Sequence, residues 1–256
     1  MLIAQPPTSP AFAVASIKPS QAADFRRVGM KFLAGGRFIA TNYPLQVLIA
    51  GAYHVPFQSA RLTGGPSWIR SERWDVEAVA DAIPAGESRR TIMRLMLQNL
   101  LTERFKLTIR RETKEMPVYG MVVAKSGLKL KKSAIDERDC FDETGAACHL
   151  ILGAQGYGLH GQAADMSDLA VSVENFTDRP VVDQTGARGL FQIETTGWLP
   201  LRLKTAAPGA KAENGADLES LPSLFTVFAG LGLRLEPQKA AVEIMVIDHA
   251  EKPSAN

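Results

Sequence analysis

Hydrophobic and polar positions along this chain switch between a period of two and a period near 3.6, and the same order of switches occurs twice. In the first pass, Arg37 to Tyr43 alternates like a strand and then gives way to Leu45, Leu48 and Ile49 at helical spacing. In the second, Gly158 to Ala164 leads into Met166 and Leu169, with Leu159 standing for Phe38. Asp165 precedes that helix as a suitable N-cap, because its carboxylate can accept an orphan backbone N–H of the first turn.

The correspondence runs on. Leu62-Thr63-Gly64 aligns with Gln184-Thr185-Gly186, and the alternating strand Arg73 to Ala78 aligns with Leu190 to Thr195, so that Trp74 and Val76 match Phe191 and Ile193. A Leu-rich helix follows in each half, from Thr91 to Glu103 and from Leu221 to Ala229. Each helix then leads into a segment that reads as a hairpin. The first turns through Glu112 to Glu115, the second through Glu236 to Lys239, with Lys114, Val118, Met121 and Val123 set against Lys239, Val242, Met245 and Ile247.

These patterns predict an α+β fold of two repeated strand-helix-strand-strand-helix-hairpin units packed together. The first unit spans 37–126 and the second 158–250. Residues 1–36 form an N-terminal segment whose stretch Ala11 to Ile17 alternates like one strand at a sheet edge, and 251–256 form a tail. Between the units lies a polar connector, 127–157, which carries Cys140 and Cys148 and reads as loop, as does a second polar insertion over 204–215. Two readings of the cysteines stand side by side: a short-loop disulfide in an oxidising compartment, or two unrelated thiols.

Composition narrows the class of partner. The 256 residues hold 29 Lys and Arg against 27 Asp and Glu, and a formal charge of +2 gives no general attraction to nucleic acid or to an anionic membrane. The longest uncharged stretch, Phe38 to Ala60, is interrupted by Asn42, Pro44, Gln46, His54 and Pro56, so no integral membrane segment is expected. The N-terminus lacks the charged start and apolar run of a signal peptide, although Leu2-Ile3-Ala4 could be the remnant of one.

Chemistry is sparse. His54, His149, His160 and His249 lie in no His-Glu-x-x-His helix, and no nucleophile elbow or phosphate-cradling loop is present, so neither a metal nor a cofactor is expected. Val181-Val-Asp-Gln-Thr-Gly186 approximates an aspartic-peptidase loop, but Gln184 interrupts it and the first unit supplies no second carboxylate. Asp183 reads as a turn former. Trp68, after Gly64-Gly65-Pro66, stands in a loop beside Arg70 and Arg73 and is a contact candidate. Arg104, Arg110 and Arg111, with Lys106 and Lys114, make a second basic cluster that suits a solvated face or an acidic partner.

Phe12 to Ser20, Leu62 to Ala78, Leu97 to Leu107, Arg111 to Tyr119, Arg179 to Gly186 and Ala241 to Ser254 together resemble a soil-associated protein family of unknown function, expanded in acidobacteria. The resemblance covers nearly the whole chain from Phe12 onward. It implies an extracytoplasmic setting, since similar domains are fused to antibiotic-sensor-like membrane metallopeptidases, and it carries no catalytic residues. Each unit also resembles, through Met96 to Leu107, the short N-terminal docking domains of secretins and TonB-dependent receptors. The expected function is a non-enzymatic, periplasmic or secreted binding or sensory module for an envelope protein or cell-wall component. The alternative is a cell-envelope hydrolase using Asp183 with Glu194 or His160.

Overall fold

The computed structural model describes residues 9–21, 28–83, 89–140, 148–199 and 220–253, with isolated positions between 201 and 217. Most of the 204–215 insertion and the Leu2-Ile3-Ala4 segment therefore lie outside the described residues. The fold class is α+β. The first half runs β1 (Val14–Pro19), β2 (Gly29–Leu33), β3 (Arg37–Pro44), α1 (Leu45–Tyr53), β4 (Leu62–Gly64), α2 (Trp68–Ser71), β5 (Arg73–Val79), α3 (Arg89–Phe105) and β6 (Thr108–Val123). The second runs β7 (Lys131–Lys132), β8 (Leu152–Ala154), β9 (Gly158–Ala164), α4 (Met166–Glu174), β10 (Val181–Asp183), β11 (Phe191–Glu194), α5 (Leu224–Gly230) and β12 (Leu233–His249).

Three four-stranded sheets result, in the orders β1-β5-β3-β2, β10-β6-β12-β4 and β7-β11-β9-β8. The first and third are antiparallel throughout. The connector is not all loop, because β7 and β8 supply both edges of the third sheet. In each of these two sheets the alternating strand after the turn meets the strand before the helix with a register shift at the same place. Ala40 faces Val76 and Tyr43 faces Trp74 in one, while Gly161 faces Ile193 and Ala164 faces Phe191 in the other. The bulge turns the strand end toward the helix that follows, α1 or α4, each nine residues long.

Neither expected hairpin forms. Segment 108–123 is one strand and so is 233–249, and the two pair antiparallel along their whole length as a ribbon about 50 Å long. The stretch Glu112 to Glu115 contains no Gly, Asn or Pro to reverse the chain, and its residues are exposed, so it continues as a solvated extended strand. Each ribbon strand then carries a short parallel strand from the other half: β4 lies on Met245 to Ile247 of β12, and β10 lies on Tyr119 to Met121 of β6. β4 thus holds on β12 the place that β10 holds on β6, with Gly64 facing Ile247 as Asp183 faces Met121.

Hydrophobic burial follows this exchange. One core gathers Phe38, Leu45, Leu48, Trp74, Leu97, Leu101 and Phe105, completed by Met245 and Ile247 from β12. The other gathers Leu159, Leu169, Phe191, Ile193, Trp198 and Phe228, completed by Tyr119 and Met121 from β6. The start of each ribbon strand needs a left-handed residue straight after its helix. Gly232 supplies it at φ 74°, whereas Lys106 adopts φ 49° and bears the associated strain.

Candidate functional site

Two polar features join the halves. The first is a charge cluster built around the start of α4. Asp165 and Asp168 form a capping box, each carboxylate accepting the other's backbone N–H at 2.7 and 3.0 Å. Asp168 is 3% exposed and also takes Arg90 from α3 and His149 Nδ1 at 2.7 Å. Arg90 Nη1 reaches Asp165 at 3.3 Å. His149 Nε2 lies 3.0 Å from Glu137, so both ring nitrogens face carboxylates. On the far side His54, the C-cap of α1, accepts from Arg94 Nη2 at Nδ1 (2.6 Å) and faces Ser167 Oγ at Nε2 (3.1 Å).

The electrostatics follow from that geometry. Burial, then the charges of Arg94 and Arg90, push His54 down to about 3, so it is neutral. Burial alone would raise the Asp168 carboxyl, but the His149 hydrogen bond and the Arg90 charge outweigh it and hold the group well below the usual carboxylate range. Asp165 is raised, first by burial and then by the Asp168 charge. Arg94 falls to about 9 through burial and the Arg90 charge.

Ser167, His54 and Asp168 lie together in the order of a nucleophilic triad, yet the polarity is reversed. Arg94 donates to Nδ1, so the proton of the neutral ring sits on Nε2 and points at Ser167; the ring cannot take the serine's proton. His149, Asp165 and Asp168 are also close enough to hold a cation together. The guanidinium of Arg90 contacts all three of these side chains and already supplies the positive charge. Glu137, Cys140 and His149 form another close group, but Cys140 is bonded to Cys148. The cluster is a structural junction. A second one lies at the end of α4, where buried Glu174 takes Arg61 through both oxygens (3.1 and 2.7 Å), Ser59 Oγ and the Val181 N–H at 3.0 Å.

The second feature is a cleft of about 1200 Å³ between residues 43–73 and 155–201. Its lining includes the Tyr43, Phe57 and Phe176 rings, the amides of Gln46, Gln58, Gln155 and Asn175, and Arg70 with Arg73. The arginines are steadied by carbonyls: Arg70 Nη2 donates to Gly64 O at 2.9 Å and Arg73 Nη1 to Asn42 O at 2.7 Å. Gln46 is held the same way by Phe57 O at 3.0 Å. Among the described residues that line the cleft there is no carboxylate, histidine, lysine or cysteine.

A family model described as a protein of unknown function, DUF3738, matches residues 46–250. The chain belongs to that family. No curated protein and no solved structure matches it. Within this DUF3738 chain, the residues singled out from the sequence end in different places. Arg70 and Arg73 come together in the cleft. Trp68 does not join them; half-buried, it packs against Trp74 and Phe105 with ring centroids 6.4 Å away, at the margin of the first core. Arg104 sits half-buried in the last turn of α3. Arg110 pairs with Glu112 and Asp248, and Arg111 with Glu243 at 3.1 Å, both exposed along the ribbon.

Asp183 closes β10, and its Oδ1 accepts from the Thr185 N–H and hydroxyl at 2.9 and 2.8 Å, an Asx turn. His160 and Glu194 pair with each other at 2.8 Å on the surface of the third sheet, which raises His160 chiefly through that hydrogen bond. Cys140 and Cys148 are disulfide-bonded, with Cα atoms 5.5 Å apart. Sequence reasoning missed the charge cluster. Its members come from positions 54, 90, 94, 137, 149, 165 and 168, and only the Asp165-x-x-Asp168 cap leaves a readable trace. Among the described residues no helix is long and apolar enough to cross a membrane.

Proposed function

We propose that this protein is a non-enzymatic, extracytoplasmic binding module, built from a duplicated α+β unit, whose ligand enters the cleft between the halves. The cleft lining carries the reading: aromatic faces and amides with two arginines suit recognition of a polar ligand, and the described lining residues include no carboxylate, histidine, lysine or cysteine. The Cys140–Cys148 bond supports an oxidising compartment. The recurrence of the bulge and of the nine-residue helix behind it supports the duplication.

The test uses immobilised protein and solubilised cell-wall glycan strands. Wild-type protein retains the strands and releases no shortened product, while Phe57→Ser, at an exposed ring of the cleft, retains them at least tenfold less. Equal retention by Phe57→Ser, or steady release of cleaved product, overturns the proposal.

A further inference from the structure

We propose that the connector, when its two cysteines are reduced, forms a zinc site from Cys140, Cys148, His149 and Glu137. The inference concerns the connector alone and does not depend on the cleft reading. Three of the donors already converge. A carboxylate oxygen of Glu137, Cys140 Sγ and a ring nitrogen of His149 lie within 4.8 Å of one another, and Cys148 Sγ is bonded to Cys140 Sγ. Two thiolates, an imidazole and a carboxylate suit a closed tetrahedral zinc site, with bonds of about 2.0–2.3 Å. Thiolate ligands select such a borderline-soft cation over calcium or magnesium.

The donors are positioned by contacts that survive when the S–S bond opens. Cys148 bridges to Ala163 of β9, and the His149 N–H donates to Ala163 O at 2.6 Å. Cys140 closes the short 3-10 helix Glu137–Asp139 with its N–H on Glu137 O at 3.3 Å, and it packs with Cys148, Ala163 and Leu190. The ring of His149 is aimed as well. Its Nδ1 lies 2.7 Å from buried Asp168 and its Nε2 lies 3.0 Å from Glu137. A neutral imidazole has one N–H. With that hydrogen given to Asp168, the Nε2 lone pair points at a carboxylate, and a cation between the two resolves the meeting. A carboxylate behind one ring nitrogen with a metal ahead of the other is the usual support of a ligating histidine. Arg90 Nη1 also stands 2.6 Å from Nδ1, but it keeps Asp165 and Asp168 as partners without the ring.

The exchange between the two forms balances. A phosphine reductant takes an oxygen from water and becomes its oxide, while the electron pair and two protons pass to the sulfurs; zinc then displaces those two protons. A disulfide oxidant reverses this: the Cys140–Cys148 bond re-forms, zinc leaves and the oxidant departs as two thiols. Thiols stay reduced in the cytosol, so a newly made chain holds the dithiol form before the bond closes.

The full chain, prepared under a phosphine in metal-free buffer, is titrated with zinc against a chromophoric chelator and with cobalt. Mass confirms both thiols free, and near-ultraviolet circular dichroism confirms the fold. The reduced protein takes up one zinc per chain, its cobalt form shows the visible bands of a tetrahedral site with thiolate charge transfer, and the oxidised protein takes up none. Glu137→Gln, at an exposed position, and His149→Asn, which suits the left-handed backbone there (φ 56°), each weaken zinc binding by about tenfold or more. No uptake by the folded reduced protein, equal uptake by the oxidised protein, or an affinity unchanged by Glu137→Gln or by His149→Asn overturns the proposal. If the reduced chain does not keep its fold, Cys148→Ser decides, because it frees the Cys140 thiol without reductant. That variant binds zinc through the three remaining donors and loses about tenfold or more on adding Glu137→Gln; no uptake, or no such loss, overturns the proposal equally.

Discussion

Glu115 and Ala241 face each other at the centre of the ribbon, and each strand runs from one hydrophobic core through this pair into the other. The cores are therefore not independent. Truncating Ile247, which belongs to β12 but lies in the first core, removes buried methyl groups there and strains the strand that begins in the second. Ile247→Ala is expected to cost about 2–4 kcal/mol. Trp74 reports the first core and Trp198 the second, so single-Trp versions in denaturant should show one coincident transition shifted equally. Two separated transitions would contradict the shared-strand account.

Arg90 and Asp168 couple α3 to α4 across the junction, both nearly buried. Asp168→Asn leaves Asp165 as the one carboxylate on the guanidinium among the described residues and weakens the capping box, and it should cost about 3–5 kcal/mol in urea unfolding. Arg90→Met with Asp168→Leu, which removes both charges, should recover about half of that loss. No recovery would mean that the remaining His149 and Asp165 contacts, and not the buried pair, dominate.

His54 gives the junction a pH dependence. Its folded value, near 3, lies below the unfolded value of about 6.5, so the unfolded chain binds the extra proton between them. Stability is thus full above about pH 6.5 and declines as the pH falls, by at most about 1.4 kcal/mol per unit. Asp168, also held low, loses its contribution only below the ordinary carboxylate range near pH 4, while Asp165, held high, works in the opposite sense. Comparing wild type with His54→Asn between pH 5 and 7 isolates the histidine. Asn accepts the left-handed backbone at this position (φ 54°), and the variant should have the flatter profile.

The contrast between what was and was not legible has physical causes. Helices α1 and α4 were readable because Leu45, Leu48, Met166 and Leu169 bury one face each, and Asp165 announces its cap. Trp74 and Val76, like Phe191 and Ile193, alternate because their strands have one buried face. The ribbon was misread because its centre buries neither face, so Glu112 to Glu115 carries the polar signature of a turn while remaining extended. Pairing with the other half, rather than folding back, is a long-range choice that no local window records. The cleft was half legible, as Arg70 and Arg73, because only folding brings Gln155 and Asn175 opposite them.

The disulfide fastens the connector to the second half, and reduction should be felt at the charge cluster. Cys148 pairs with Ala163 of β9, and the next residue, His149, donates its N–H to Ala163 O at 2.6 Å while its ring reaches Asp168 and Glu137. Cys140, Cys148, Ala163 and Leu190 form a small apolar cluster of their own. Opening so short a loop releases chain entropy in the unfolded state worth about 2–3 kcal/mol. Cys140→Ser with Cys148→Ser should therefore lower the melting temperature by about 5–10 °C. Wild type in reductant should match it, and reductant should leave the double variant unchanged. A midpoint in wild type that ignores reductant, with both thiols shown by mass to be free, would mean that the apolar cluster and the His149 contacts hold the connector without the covalent bond.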